Sequence, residues 1–271
     1  MLRIVGRRPD GYHLLQTVFQ FLDRGDWLWF EPRADGRIDR EGDVPGVAAD
    51  ADLTVRAARL LQQTTGVRQG ATIRIVKHLP LGGGVGGGSS DAATALIALN
   101  HLWGVGLTEP RLAELGLSLG ADVPVFVRGW AAWAEGVGER LTPVALDEPW
   151  FVVLTPDCGV PTRAVFEAPD LTRNSVPITI SDFMAGAGGN DCEPVVYRRY
   201  PAVAAAARWL SAFAPARLTG TGACVFAAFP DAASAEEVLA RRPASWGGFV
   251  ARGCNRSPLH RVLARRQAAS V

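Results

Sequence analysis

The sequence predicts an α+β fold with two domains. Apolar residues make up 48% of the 271-residue chain, which is enough for one large core or two modest ones. Segments with strand and helix patterns are mixed along the chain, and no repeat is visible. Two prolines and an acidic pair between Pro143 and Pro149 precede a new apolar strand. We therefore predict a first domain over 1–145 and a second over 146–271.

Local patterns predict the individual elements. Aromatic and β-branched residues predict two strands, at 17–23 and 26–31, joined by a tight connection. Apolar residues at helical spacing predict a helix between Asp52, as its N-cap, and Gly66, as its C-cap glycine. The later predicted elements are a strand at 71–76, helices at 90–103 and 108–120, a strand at 151–154, helices at 162–167 and 202–213, and a strand, a helix and a strand ending at Ala251.

The most informative segment is a glycine-rich loop between a predicted strand and a predicted helix. Six of the seven residues from Gly82 to Gly88 are glycines. Glycine lets a ligand approach the backbone without meeting a Cβ, and a helix start offers unpaired N–H groups and a partial positive charge. The sequence therefore predicts a phosphate-binding loop. Its residues are Pro80, Leu81, Gly82, Gly83, Gly84, Val85, Gly86, Gly87, Gly88, Ser89 and Ser90.

Three other interpretations of this loop can be weighed. The Walker A pattern fails because Ser89, not lysine, follows the last glycine. A dinucleotide-binding pattern is matched formally by Gly82, Gly84 and Gly87, but the acidic residue expected about 20 positions later has no convincing candidate. A flexible linker would not need the apolar segments that flank the loop. An oxidoreductase and a linker stay open as alternatives.

The segment from Pro80 to Ala93 resembles the phosphate loop of the GHMP kinase superfamily of small-molecule kinases. Three further segments, 8–13, 120–126 and 218–223, resemble other motifs of these kinases and occur in the same order. The resemblance implies a two-domain GHMP kinase fold. Its N-terminal domain would be ribosomal-protein-S5-domain-2-like, and its C-terminal domain a ferredoxin-like α/β sandwich.

The three further segments narrow the resemblance to one branch of the superfamily. Its members phosphorylate the 2-hydroxyl of a cytidine diphosphate conjugate of methylerythritol, on the non-mevalonate route to isoprenoid precursors. The resemblance implies that this conjugate and ATP are the small-molecule partners. It also implies Mg²⁺ as a cofactor.

Asp122 is the candidate general base, because a carboxylate beside a phosphate site is costly unless it takes a proton from an alcohol. From the residues alone, a cap of the turn before Pro124 explains Asp122 equally well. The resemblance assigns the catalytic role to the aspartate of this motif.

Tyr12 and His13 are candidates for binding a nucleobase. They follow a turn at Asp10–Gly11, and a tyrosine can stack on a base while a histidine hydrogen-bonds its edge. A packed tyrosine and a solvated histidine are the plainer alternative. The resemblance implies that these residues hold the cytidine ring. By the same resemblance, further substrate-site residues are Thr162, Phe166, Gly220, Thr221 and Gly222, although a hairpin turn also explains the last three.

The sequence departs from the family pattern at two places. The family has a strand reading Pro-Ala-Lys-x-Asn before the segment that aligns with 1–6, and this sequence does not contain that motif. We expect either a start further upstream or a nucleotide-binding protein with impaired catalysis. Asp52 stands where the family often has an asparagine that contacts adenine.

Composition excludes several classes of protein. The formal net charge of +1 gives no reason to expect a nucleic acid or membrane partner. The sequence has no apolar run long enough to indicate export or a membrane span, so we expect a cytoplasmic protein. We also expect a monomer or a weak homodimer. The cysteines and histidines lack metal-ligand spacing, and we assign no protein metal ligand.

Overall fold

The computed structural model describes residues 1–269. The chain forms two compact units, and each draws on both halves of the sequence. Unit 1 contains 1–23, 80–85 and 131–255, whereas unit 2 contains 24–79, 86–130 and the segment from Arg256 onward. The family-domain boundary predicted near residue 145 stays a prediction.

Strands and helices are mixed along the whole chain. The strands are β1 (Leu2–Arg7), β2 (His13–Phe19), β3 (Phe21–Leu22), β4 (Trp27–Arg33), β5 (Ile38–Glu41), β6 (Gly70–Val76), β7 (Ala132–Glu135), β8 (Arg140–Pro143), β9 (Trp150–Thr155), β10 (Arg217–Leu218), β11 (Val225–Phe229) and β12 (Gly247–Cys254). The helices are α1 (Leu53–Thr65), α2 (Gly87–Leu102), α3 (Glu109–Leu119), α4 (Val123–Arg128), α5 (Thr162–Phe166), α6 (Ile180–Met184), α7 (Glu193–Arg199), α8 (Pro201–Ser211), α9 (Ala232–Ala240) and α10 (Pro258–Ala269).

Unit 1 is built on two antiparallel sheets. One has the strand order β1-β2-β7-β8, and the other has the order β10-β11-β9-β12-β3. Val152 and Leu154 of β9 are fully buried and belong to one core cluster with Val203 and Leu210 of α8. Each such side chain contributes about 1.5–3 kcal/mol through its removal from water. This core supports the loops at the strand ends, which carry the predicted substrate residues.

Unit 2 packs helices against a three-stranded sheet with the order β4-β6-β5. Leu61 of α1, Leu96 and Leu99 of α2, and Ile73 of β6 are completely buried in its core. Asp52 accepts a hydrogen bond from the Thr54 amide and caps α1, as the sequence predicts. This core fixes the start of α2, where the glycine-rich loop ends.

Two predicted elements differ from the structure, and several elements were not predicted. The stretch predicted as one strand at 17–23 divides into β2 and β3, which pair in different sheets, and β4 lies in unit 2. The helix predicted from residue 90 begins at Gly87, because Gly86 adopts a left-handed conformation and caps it. Helix α7 was not predicted, since its seven residues are too few to show a clear helical period.

Within residues 1–269, no helix is both long and apolar enough to cross a bilayer.

Glycine is required where the loop of unit 1 meets the turn before β11. Gly84 has a φ of +75°, and a Cβ there would overlap the carbonyl oxygen of Thr219. Thr219 Oγ1 also donates to the Gly84 carbonyl at 2.8 Å, and the Cys224 amide donates to the Gly83 carbonyl at 3.0 Å. The two glycine turns therefore share a close backbone contact that no larger residue permits.

We predict that Gly84→Ala destabilises the protein more than Gly82→Ala. Both glycines have positive φ, so both substitutions carry a conformational cost of about 1–2 kcal/mol. Only Gly84→Ala adds a backbone clash, because a Cβ at Gly82 meets no atom within 4 Å in the described part of the chain. The extra cost should be about 1–3 kcal/mol, measured by urea unfolding. Equal losses in the two variants would contradict this.

Candidate active site

The start of α2 in unit 2 has the features of an anion site. The Ser90 amide donates to the Gly86 carbonyl at 2.9 Å, so the amides of 87–89 precede the first bond of the helix. These N–H groups and the positive end of the helix dipole favour a phosphate. A Cβ at Gly86 would lie 2.8 Å from Phe126 Cζ, which requires glycine at this cap.

Ser89 and Ser90 lie inside the first turn of α2 and do not cap the helix. Gly86, in a left-handed conformation, is the N-cap residue instead. Both serines are half-buried. Among the described residues, neither hydroxyl forms a side-chain hydrogen bond, so both are available to a ligand.

Asp122 precedes α4, in the same unit as the α2 start. A Cβ at Gly120 would lie 4.0 Å from Ser89 Oγ, so the turn that carries Asp122 is next to the first turn of α2. The Asp122 side chain forms no capping hydrogen bond to α4. Surrounding protein desolvates the carboxyl and raises its pKa, although the residue keeps a solvent-exposed face. This environment suits a proton acceptor better than a turn cap.

A buried ionic cluster joins the end of β6 to the first turns of α2. Lys77 Nζ forms ion pairs with Asp26 and, at 2.7 Å, with Asp91. Asp26 also accepts hydrogen bonds from the amides of His78 at 2.6 Å and Leu79 at 2.8 Å. Burial lowers the pKa of Lys77, but the two carboxylates together outweigh it and raise the pKa, so the amine stays charged. Burial raises the pKa of Asp91 to about 7.

Unit 1 holds the other predicted residues of the glycine loop, from Pro80 to Val85, and the second glycine turn. Asn190 donates to the Gly220 carbonyl at 2.8 Å, and Thr221 is buried. The Thr162 and Thr221 hydroxyls are hydrogen-bonded at 2.9 Å. The hairpin between β10 and β11 and the start of α5 are thus held together.

Helix α5 also leads to the predicted nucleobase residues. Phe166, its last residue, stacks on the His13 ring with centroids 5.1 Å apart. Tyr12 is 65% exposed, so its ring is available for a planar ligand. Arg173 Nε donates to His13 Nε2 at 3.2 Å. Unit 1 therefore brings together His13, Phe166 and Thr162, which are far apart in sequence.

Asp52 has a structural role in unit 2. Its carboxylate forms an ion pair with Arg40 at 2.8 Å and accepts two hydrogen bonds from Thr54. Its pKa is lowered, because hydrogen bonds from Thr54 and Arg40 outweigh its burial. An asparagine could not form this ion pair, which gives a physical reason for the departure from the family pattern.

Sequence reasoning missed Arg173 and the partners of Lys77. Arg173 is one arginine among many in a polar segment, and no spacing rule connects it with His13. Asp26 lies 51 residues before Lys77. The sequence shows that Lys77 lies between a strand and a loop. The ionic cluster around it can be recognised only when the tertiary contacts of Asp26 and Asp91 are known.

Comparison with known families assigns the class of protein. A model described as "GHMP kinases N terminal domain" matches residues 52–129, and one described as "GHMP kinases C terminal" matches 171–248. Together with the mixed sheets and the glycine-rich start of α2, they define a small-molecule kinase of the GHMP class. The α+β GHMP kinase fold predicted from the sequence is confirmed.

Three relatives narrow the class. A 4-diphosphocytidyl-2-C-methyl-D-erythritol kinase of Nitrosococcus oceani is 60% identical over 95% of this chain and 92% of its own length. One of Alkalilimnicola ehrlichii is 63% identical over 93% and 87%. A crystal structure of 4-(cytidine 5'-diphospho)-2C-methyl-D-erythritol kinase is 31% identical, covers 93% of this chain and 94% of that chain, and has a TM-score of 0.80. The chain belongs to the 4-diphosphocytidyl-2-C-methyl-D-erythritol kinase family.

We predict that Asp91→Asn changes how stability depends on pH. The raised pKa means that the folded protein binds more protons than the unfolded chain between the ordinary value, 3.8, and about 7. Wild-type stability should therefore fall as pH rises through this window, and Asp91→Asn should remove that fall. Urea unfolding at several pH values measures it.

The matched control is Asp50→Asn, which removes a carboxylate that is 82% exposed. It should leave the pH dependence as in the wild type. A wild-type stability that stays constant across the window would contradict the assignment.

Proposed function

We propose that this protein transfers the γ-phosphoryl group of ATP to the 2-hydroxyl of 4-diphosphocytidyl-2-C-methyl-D-erythritol. The observation that carries the proposal is the Asp122 carboxylate on the turn next to the α2 start. The names of the relatives support the substrate. The reaction belongs to the non-mevalonate route to isoprenoid precursors, and we propose a cytoplasmic monomer or weak homodimer.

The phosphates of ATP would bind the loop from Pro80 to Ser90. The first-turn amides of α2 donate to phosphate oxygens, and the helix dipole offsets part of their charge. Bound Mg²⁺ would neutralise charge on the phosphates during transfer. The Ser89 and Ser90 hydroxyls fit such an ion, since Mg²⁺ commonly takes substrate phosphates and water as most of its ligands. No cluster of three acidic, histidine or cysteine side chains suited to a metal occurs within 1–269.

Asp122 would accept the proton of the 2-hydroxyl as this oxygen attacks the γ-phosphorus. A carboxylate with a raised pKa holds that proton more readily than an ordinary aspartate. Its lack of a capping bond leaves the oxygens able to turn toward the alcohol.

Tyr12, His13 and Phe166 would hold the cytidine end of the substrate. The exposed tyrosine ring offers a stacking surface, and the His13 ring offers a polar edge. The same substrate would also contact Thr162, at the start of α5, and the turn of Gly220, Thr221 and Gly222. A hydrogen bond between the Thr162 and Thr221 hydroxyls holds these two segments together.

The two alternatives are less favoured. A dinucleotide-dependent oxidoreductase is disfavoured because both family models are those of kinases. A nucleotide-binding protein with impaired catalysis has no support in the relatives, which are named as kinases. Substrate-dependent formation of ADP separates both alternatives from the proposal.

We predict that Asp122→Asn lowers kcat about 10²–10⁴-fold, because an amide cannot accept the hydroxyl proton. The assay measures Mg²⁺-dependent ADP formation from ATP with and without the cytidine conjugate. Asp43→Asn, at an exposed carboxylate of unit 2, is the control and should retain wild-type activity. No conjugate-dependent ADP from the folded wild type would refute the function. Full activity of Asp122→Asn would refute only the assignment of Asp122 as the general base.

We also predict an acidic limb in the pH profile of kcat/KM that lies above the ordinary aspartate value of 3.8. The base acts as the carboxylate, so activity falls as pH drops through its raised pKa, by about tenfold per pH unit. The limb should persist in Asp91→Asn, which removes the other raised aspartate. Activity that is constant down to pH 4 would contradict the prediction.

A further inference from the structure

Arg173 is fixed against His13 by four hydrogen bonds. Its Nε donates to His13 Nε2 at 3.2 Å. Its other nitrogens donate to the carbonyls of Phe166 at 2.9 Å, Ala168 at 2.7 Å and Leu171 at 3.1 Å. The planar guanidinium therefore cannot turn away from the histidine without losing three bonds to the backbone.

This contact determines where the His13 proton lies. Arginine carries only donors, so the Nε2 atom that meets it must be an acceptor without a proton. In a neutral imidazole the proton is then on Nδ1. Within the described part of the chain, no hydrogen bond to His13 Nδ1 is present. Stacking on Phe166 also fixes the ring plane, with 25° between the two rings.

The charges around His13 keep it neutral. Burial and the positive charges of Arg173 and Arg7 lower the pKa of its imidazole. Protonation would place an N–H on Nε2 against an N–H of Arg173, so the contact itself opposes the imidazolium form. At neutral pH, His13 therefore offers one donor, Nδ1–H, and its acceptor is already occupied.

A single donor can distinguish two pyrimidines. Cytosine carries an acceptor lone pair at N3, whereas uracil carries a hydrogen there. A donor that faces N3 forms a hydrogen bond with cytosine and meets another donor in uracil. The histidine in its other tautomer would present the opposite preference.

We propose that Arg173 is a specificity-determining positioning residue, which holds His13 as the Nδ1–H tautomer and thereby selects cytosine over uracil. The proposal rests on the proposed function, because it takes Tyr12 and His13 as the site of the nucleobase. It adds a residue outside the predicted site and states which edge of the base is read.

The tautomer can be measured directly in the wild-type protein. The chain has four histidines, so ¹⁵N-labelled rings can be assigned by replacing each in turn. We expect the nitrogen shifts of His13 to show a protonated Nδ1 and an unprotonated Nε2 at pH 7.5. A protonated Nε2 would overturn the proposal without the need for any Arg173 variant.

The specificity is tested with CDP and UDP as probes in titration calorimetry. The wild type should bind CDP about tenfold more tightly than UDP, the effect of one matched hydrogen bond. Arg173→Met, which has no donor, should bring the two affinities close together. Arg173→Gln, which keeps a donor, should restore part of the preference. Arg163→Met is the matched control, since Arg163 is an exposed residue of α5 paired with Glu167.

Equal binding of CDP and UDP by the wild type would overturn the proposal. An unchanged preference in folded Arg173→Met would also overturn it. Both results leave the kinase assay unaffected, so they are distinct from a failure of the proposed function. That failure would appear as no conjugate-dependent ADP from the wild type, whatever its preference between CDP and UDP.

Discussion

The close backbone packing of the glycine-rich loop is the constraint on which the candidate site depends. Gly84 fits against the Thr219 carbonyl in unit 1 because it has no Cβ. Gly86 fits against Phe126 in unit 2 for the same reason, and its left-handed conformation starts α2. The same glycines that would admit phosphate are therefore needed for packing. This dual requirement explains a density of glycines that neither a linker nor a simple turn would need.

Buried ion pairs also stabilise the start of α2. The buried pair of aspartates around Lys77 connects the strand before the loop to the helix after it, within one unit. One charged amine between two carboxylates leaves one negative charge unbalanced. Because Asp91 is buried, its pKa is raised to about 7, so this carboxyl takes up a proton more readily than an ordinary aspartate. Lys77 is thus engaged in holding the scaffold, which separates its task from that of Asp122. Asp122 lies on a neighbouring turn, and its carboxylate forms no capping hydrogen bond to α4.

Local signals were sufficient where the cause of the structure is local. Both caps of α1 could be predicted, because Asp52 and Gly66 act on their own backbone neighbours. The helix after the loop was predicted three residues late, because Ser90 is a common cap while a glycine N-cap leaves a weak signal. The contact of Arg173 with His13 spans 160 residues and depends on tertiary packing, so no local pattern could predict it. The resemblance supplied the substrate, which the spacing of residues could not.

The proposed reaction transfers a phosphoryl group from ATP to one hydroxyl of the cytidine conjugate. It can be followed by incubation with ATP labelled in its γ-phosphoryl group and ³¹P NMR of the separated product. We expect the label to appear as a phosphomonoester on the 2-hydroxyl, with the cytidine diphosphate resonances retained. Label found only in inorganic phosphate, or on another hydroxyl of the conjugate, would contradict it.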